Sequence, residues 1–310
     1  MNSDTQGHAS PVTMADSAPA LRAYLTNCLV AGHTSTERDG QIIRNTITFE
    51  LGGRTFVLTQ HDDVVKQRGS FSGERAITSE VVVSRVSADE VPSVLEAIER
   101  LCWLLSFAGL SAVSIAGHDY PDGSGASMRH TVVGVAQYFR PTIDIRLGKE
   151  VKSFIEQTYP IFTCLEKTRQ LTAVIDYLVQ AERPELPVEC QLIFASVLLE
   201  NLKRTYGNSK GIPYIDGYFR KTPGRNADKY SFKELLELML GEVGMQRSLK
   251  AMIDFRNDLL HSGLSNQSHA DNFKMYEQMH DLLREYLLRL LGFHGSFPTY
   301  ASRGAEHIHI

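Results

Sequence analysis

From about residue 20 to 147 the apolar positions fall into short β-branched and aromatic runs punctuated by glycine, the signal of strands rather than helices. The stretch IIRNTITFELGGRTFVLTQ (42–60) holds two such runs around Gly52-Gly53, where paired glycines supply the positive φ of a hairpin turn. Further strands are expected at 77–86, 111–118 and 129–139. One helix interrupts them. Ser87-Ala-Asp-Glu90 is a capping box, and Val91, Leu95, Ile98, Cys102 and Leu105 follow at helical spacing. The Gly-rich HDYPDGSGAS (118–127) joins two expected strands, so it reads as a hairpin loop and not as a phosphate cradle.

After RLGKE (146–150) the spacing becomes helical, with helices expected near 150–158, 163–181, 187–205, 231–241, 244–262 and 270–292. Ser231-Phe-Lys-Glu234 is a second capping box, and Gly263 stands where a glycine ends the fifth of these helices. The predicted fold class is α+β. A β-rich domain with one covering helix (19–147) precedes an α-helical bundle (148–294). Residues 1–18, rich in Ser, Thr, Ala, Asp and Pro, are expected to form a disordered tail, and 295–310, ending in HIHI, a second one.

The 310 residues, 43% hydrophobic and 22% charged, describe a globular chain with room for two domains. A net charge of -4 excludes a protein that coats nucleic acid over its whole surface, so any such contact must be regional. Cys28, Cys102, Cys164 and Cys190 form no CxxC pair and have no histidine at zinc-site spacing, which predicts reduced core thiols, no metal and no cofactor. No apolar run has the length of a membrane span and the N-terminus lacks a signal-peptide pattern, so a cytoplasmic protein without a membrane partner is expected.

The stretch DFRNDLLHSG (254–263) breaks this ordinary picture. At about 100° per residue from Leu249, Met245, Met252, Ile253 and Leu260 fall at about 320°, 300°, 40° and 20°, while Arg256 falls at about 340°. A guanidinium in the middle of an apolar stripe needs a carboxylate, a phosphate or an interface. A structural ion pair or an arm that snorkels to water would also meet that need. His261 follows Asn257 by one turn, lies near the negative end of the helix dipole and has Asp258 three residues behind it. Dipole and carboxylate both favour its protonated form, as suits a general acid or base, although a capping histidine without chemistry fits the same position.

RNDLLH (256–261) resembles the R-x4-6-H motif, with a polar residue after the arginine, of the HEPN superfamily of helical-bundle proteins, and most closely its ApeA-like branch. Arg54 with His61, Arg289 with His294 and Arg303 with His309 share the spacing. Only Arg256 combines a polar follower with an amphipathic helix inside a bundle, and the resemblance covers about 160–292. It implies a HEPN-like bundle and metal-independent endoribonuclease chemistry, in which an RNA 2′-hydroxyl attacks the adjacent phosphate to leave a 2′,3′-cyclic phosphate. His261 would move protons, Arg256 would hold the phosphate and Asn257 would position the histidine or the scissile bond. It also implies a composite site across a two-fold homodimer or higher oligomer, which would make the face of Arg256 a seam rather than a core.

Two features bear on that reading. The helix at 187–205 is apolar nearly all round but carries Glu200 on a narrow polar stripe with Ser196 and Arg204, and Glu200 is a candidate partner for Arg256 or a locally paired surface residue. The segment 203–230 has seven Lys or Arg against two Asp, interleaved with Tyr206, Tyr214, Tyr218, Phe219 and Tyr230. Lys203, Arg204, Lys210, Arg220, Lys221 and Arg225 are candidate RNA contacts in a connection long for a structureless loop. A surface loop whose aromatics pack on the bundle is the competing reading. The expectation is a ribonuclease, toxin-like or anti-phage in role, gated by a protein or small-molecule trigger at the N-terminal domain. A non-catalytic HEPN scaffold that binds a partner protein or nucleotide is the alternative.

Overall fold

The computed structural model describes residues 19–38, 40–61, 70–128, 134–136, 140–262, 265–301 and 306–310, without the side chains of Thr36, Arg38, Gln41, His261 and Ser262. The N-terminal half builds a seven-stranded antiparallel sheet from β1 (Ala20–Thr26), β2 (Thr34–Arg38), β3 (Gln41–Leu51), β4 (Arg54–Gln60), β5 (Ile77–Ser84), β6 (Ser114–Asp119) and β7 (Ala126–Met128), in the order β2-β3-β4-β5-β1-β6-β7. The β3–β4 hairpin turns at Gly52 (φ 57°) and Gly53 (φ 78°), as the sequence predicts. Register puts the apolar positions on one face: Leu21 opposes Val83, Ala23 opposes Val81, Phe49 opposes Phe56 and Ile47 opposes Leu58. All eight are buried.

Helix α1 (Val91–Gly109) covers this face at β1 and β6, and α2 (Gly148–Leu165) packs on β3. The Ser87 capping box forms just ahead of α1, with the backbone N–H of Ser87 donating to Glu90 at 3.0 Å. The helical half adds α3 (Leu171–Ala181), α4 (Val188–Ser209), α5 (Phe232–Glu242), α6 (Lys250–Ser262) and α7 (His269–Leu290). Helix α4 packs against α3, α5, α6 and α7, which explains why its sequence is apolar nearly all round. One buried hydrophobic cluster runs from the sheet into the bundle, joined at Phe154, whose ring lies 5.9 Å from that of Phe107 and 5.5 Å from that of Phe293.

Several expectations change. The break expected between 158 and 163 is absent, because α2 runs through Pro160 while Phe154, Tyr159 and Phe162 anchor it on both sides. The chain breaks instead at Gln170 (φ 51°). Helix α6 starts at Lys250 rather than 244. Of the strand expected at 129–139, residues 134–136 are not in a strand and the others lie outside the described residues, as do tail 1–18 and Gly263. The C-terminal segment is not a free tail. Strands β10 (Ser296–Thr299) and β11 (Glu306–His309) pair antiparallel and bury Phe297 completely.

A buried polar cluster ties that hairpin to the bundle. Asp281 accepts the backbone N–H groups of Tyr300 (2.9 Å) and Ala301 (2.8 Å) and a 2.6 Å bond from Arg284. Glu182, at the end of α3, accepts the Tyr276 hydroxyl at 2.8 Å and lies 2.6 Å from His280 Nδ1 and 3.8 Å from Arg284 Nη1. Burial alone would raise the pKa of Glu182, but His280, Arg284 and Tyr276 together hold it below the usual glutamate value.

Candidate functional site

Helix α4 points Glu200, Lys203 and Arg204 toward the end of the bundle where α5 begins and α6 passes. Arg256 of α6 donates through Nη2 to Glu200 Oε1 and through Nη1 to Asn257 Oδ1 at 2.7 Å. Lys203 Nζ donates to the other Glu200 oxygen at 2.6 Å. Both cations also lie over the ring of Phe232, Arg256 at 4.5 Å and Lys203 at 4.9 Å from its centroid. Phe232 opens α5 just after Ser231, whose side chain caps the helix by accepting from the Glu234 N–H. Lys221 and the Ser231 cap together hold the Glu234 carboxyl down at about 2.

The arginine is therefore less misplaced than the sequence suggests. The buried residues on α6 are Met252, Phe255 and Leu259, with Leu249 just before it, whereas Leu260 is 38% exposed. Phe255 and Leu259 shift the apolar stripe to about 280°, leaving Arg256 on its flank at about 340°. Its side chain is 16% exposed and its Nε has no hydrogen-bond partner among the described residues. The backbone of His261 lies in the last turn of α6, and its side chain lies outside the described residues. Ser196, expected on a polar stripe with Glu200, is fully buried.

The segment after α4 is folded rather than structureless. Helix α4 continues to Ser209, and β8 (Tyr214–Ile215) and β9 (Tyr218–Phe219) form a hairpin across Asp216 (φ 51°) and Gly217 (φ 83°). Positive φ at both central residues is the type I′ geometry that an Asp-Gly pair selects. Phe219 is 4% exposed and packs on Gly207 of α4, where a Cβ would come within 2.5 Å of its ring. Tyr230 N–H donates to the Phe219 carbonyl at 2.9 Å, which draws the chain back toward α5.

Between this hairpin, α4 and the start of α5 lies a pocket of about 760 Å³. Glu200, Lys203 and Phe232 line it, so it adjoins the Arg256 contacts directly. Of the six expected RNA contacts, Lys203 and Arg204 line the pocket. Lys210 pairs with Glu242 at 2.6 Å and Lys221 with Glu234 at 2.7 Å, while Arg225 is 82% exposed and lies 3.6 Å from Asp216. Arg220 is 6% exposed and donates to the Ala227 carbonyl at 2.8 Å, so it holds the loop together instead of facing outward. Sequence reasoning did not single out Phe232, Tyr177 and Lys229 of the pocket wall. The signal for the hairpin was present, since YIDGYF places Asp-Gly between aromatic runs. Comparison with protein-family models, with curated proteins and with solved structures finds no match to this chain.

Proposed function

We propose that the protein is a metal-independent endoribonuclease whose C-terminal half is a HEPN-like bundle and whose catalytic groups are Arg256, Asn257, His261 and Glu200. The observation that supports this reading most is the setting of Arg256. One carboxylate, Glu200, faces two cations, Arg256 and Lys203, at the edge of a pocket lined by aromatic and basic side chains. The cluster carries a net positive charge that a phosphodiester would satisfy.

In the proposed reaction the 2′-hydroxyl oxygen forms a bond to the adjacent phosphorus and the bond from phosphorus to the 5′ oxygen breaks. A base takes the 2′ proton, an acid supplies one to the leaving oxygen, and the products are a 2′,3′-cyclic phosphate and a 5′-hydroxyl. His261 serves the proton transfer and Arg256 neutralises the charge that develops on the phosphate. Asn257, bonded to Arg256 at 2.7 Å, fixes the guanidinium plane, and Glu200 orients it from the opposite helix. A second protomer facing the first would supply the other proton-transfer group, and the N-terminal sheet would gate the site through a protein or small-molecule trigger. A role in toxin-like or anti-phage defence belongs to the same proposal. The test is incubation of end-labelled RNA in EDTA: the wild type cleaves, and Arg256→Ala and His261→Ala do not. Equal cleavage by all three proteins would overturn the assignment.

A further inference from the structure

We infer that the pocket beside Arg256 receives one unpaired nucleobase of an RNA strand, so that the protein acts on single-stranded segments and cuts next to the captured nucleotide. This rests on the ribonuclease reading above and adds the substrate class. The volume of about 760 Å³ lies within the roughly 300–1,000 Å³ of small-ligand pockets. The wall is built from ring systems on separate elements: Tyr177 of α3, Tyr214 and Tyr218 of the hairpin, Tyr230 and Phe232. Tyr214 and Tyr218 remain 50% and 49% exposed, an arrangement that leaves aromatic surface open to a further stacking partner.

Cations mark where the phosphates would run. Arg204 lies 5.7 Å from the Tyr214 centroid, and Lys229 Nζ lies 3.4 Å from that of Tyr218. Lys203 reaches the pocket from the side of Arg256, and the Phe232 ring belongs both to the pocket wall and to the Arg256 contact. A base stacked inside therefore brings an adjoining phosphate of its strand toward Arg256. A base in a duplex has both faces covered by its neighbours and cannot enter, whereas a splayed base can. The walls are preformed, because Phe219 is wedged over Gly207 and the Asp216-Gly217 turn fixes the hairpin.

The test measures binding by fluorescence anisotropy with a short 2′-O-methyl RNA, which cannot be cleaved, as a single strand and as a duplex. The Tyr214→Ala/Tyr218→Ala protein should bind the single strand about tenfold or more weakly than wild type, the loss expected for stacking on aromatic side chains. The corresponding double Phe variant should retain wild-type affinity, and the duplex should not distinguish the three proteins. Single-strand binding by the Ala variant equal to wild type, or duplex binding as tight as single-strand binding, would overturn the pocket. So would AMP or GMP binding as tightly as the strand, since the occupant would then be a free nucleotide. The two readings fail separately. Tyrosine-dependent binding without cleavage of plain RNA leaves the pocket and removes the nuclease, while cleavage unchanged in the Ala variant does the reverse.

Discussion

Gly207→Ala sets two opposed effects against each other at the site. Gly207 lies in the last turn of α4, where alanine is favoured over glycine by at most about 1 kcal/mol, so propensity alone makes the substitution stabilising. A Cβ at this position, however, would stand 2.5 Å and 2.6 Å from two ring carbons of Phe219. Ordinary carbon contacts are about 3.5–4.0 Å, so the overlap is about 1 Å. The ring cannot rotate away freely, since Phe219 is 4% exposed, meets Tyr214 edge-on at 4.9 Å and has its backbone pinned by Tyr230. Overpacking of this kind costs about 1–3 kcal/mol, which outweighs the helix gain and leaves a net loss of about 1 kcal/mol. Thermal denaturation should show a fall of about 2 °C, and limited proteolysis should show earlier cleavage within 213–230. Adding Phe219→Leu should recover part of the loss, giving a coupling energy of at least about 0.5 kcal/mol in the double-mutant cycle. A Tm that rises by about 2 °C with an unchanged proteolysis pattern would refute the wedge and with it the preformed pocket wall.

Glu200→Gln removes the carboxylate shared by Arg256 and Lys203. An uncleavable single strand should then bind more tightly at low salt, with a salt dependence steeper by about 0.7 in log-log slope, and an unchanged slope would mean that these cations do not meet phosphate. Glu182→Gln removes the buried carboxylate that accepts the Tyr276 hydroxyl and faces His280, while Arg284 keeps Asp281, and should cost about 1–3 kcal/mol in urea denaturation at neutral pH. Glu182 is held below its ordinary value of 4.5, so its contribution is complete above that pH and is lost as the pH falls through the lowered value; wild-type stability should decline on acidification there, and the variant should lack that component. Asp281→Ala should free the C-terminal hairpin, seen as earlier proteolysis within 296–309 than in wild type, and an equally resistant hairpin would refute its anchoring role.

Much of the sheet was legible because its signals are local. Gly52-Gly53 marks its own turn, and the Ser87 and Ser231 capping boxes mark their helix starts. The C-terminal hairpin was illegible for the opposite reason. The segment 295–310, ending in HIHI, reads as a tail, and what holds its described part is Asp281 and the burial of Phe297 in a distant core. The break expected between 158 and 163 is absent for a similar reason, since apolar anchors on both sides of Pro160 hold α2 together. On α6 a stripe through Met245 and Leu260 passes over Arg256, whereas the buried Phe255 and Leu259 place the apolar face to one side of it. The contact between Glu200 and Arg256 was open to inference because both break an apolar pattern. The pocket was not, because Tyr177 lies in α3, far in sequence from the hairpin, and only packing brings them together.

The central claim concerns the chemistry at Arg256 and His261, and the ends left on cleaved RNA test it most directly. A single-stranded RNA incubated with the wild-type protein in EDTA, then analysed by mass spectrometry, should yield fragments ending in 2′,3′-cyclic phosphate opposite fragments beginning with 5′-hydroxyl, and the matching 2′-O-methyl strand should stay intact. Fragments with 3′-hydroxyl and 5′-phosphate ends, or cleavage of the 2′-O-methyl strand, would contradict the account.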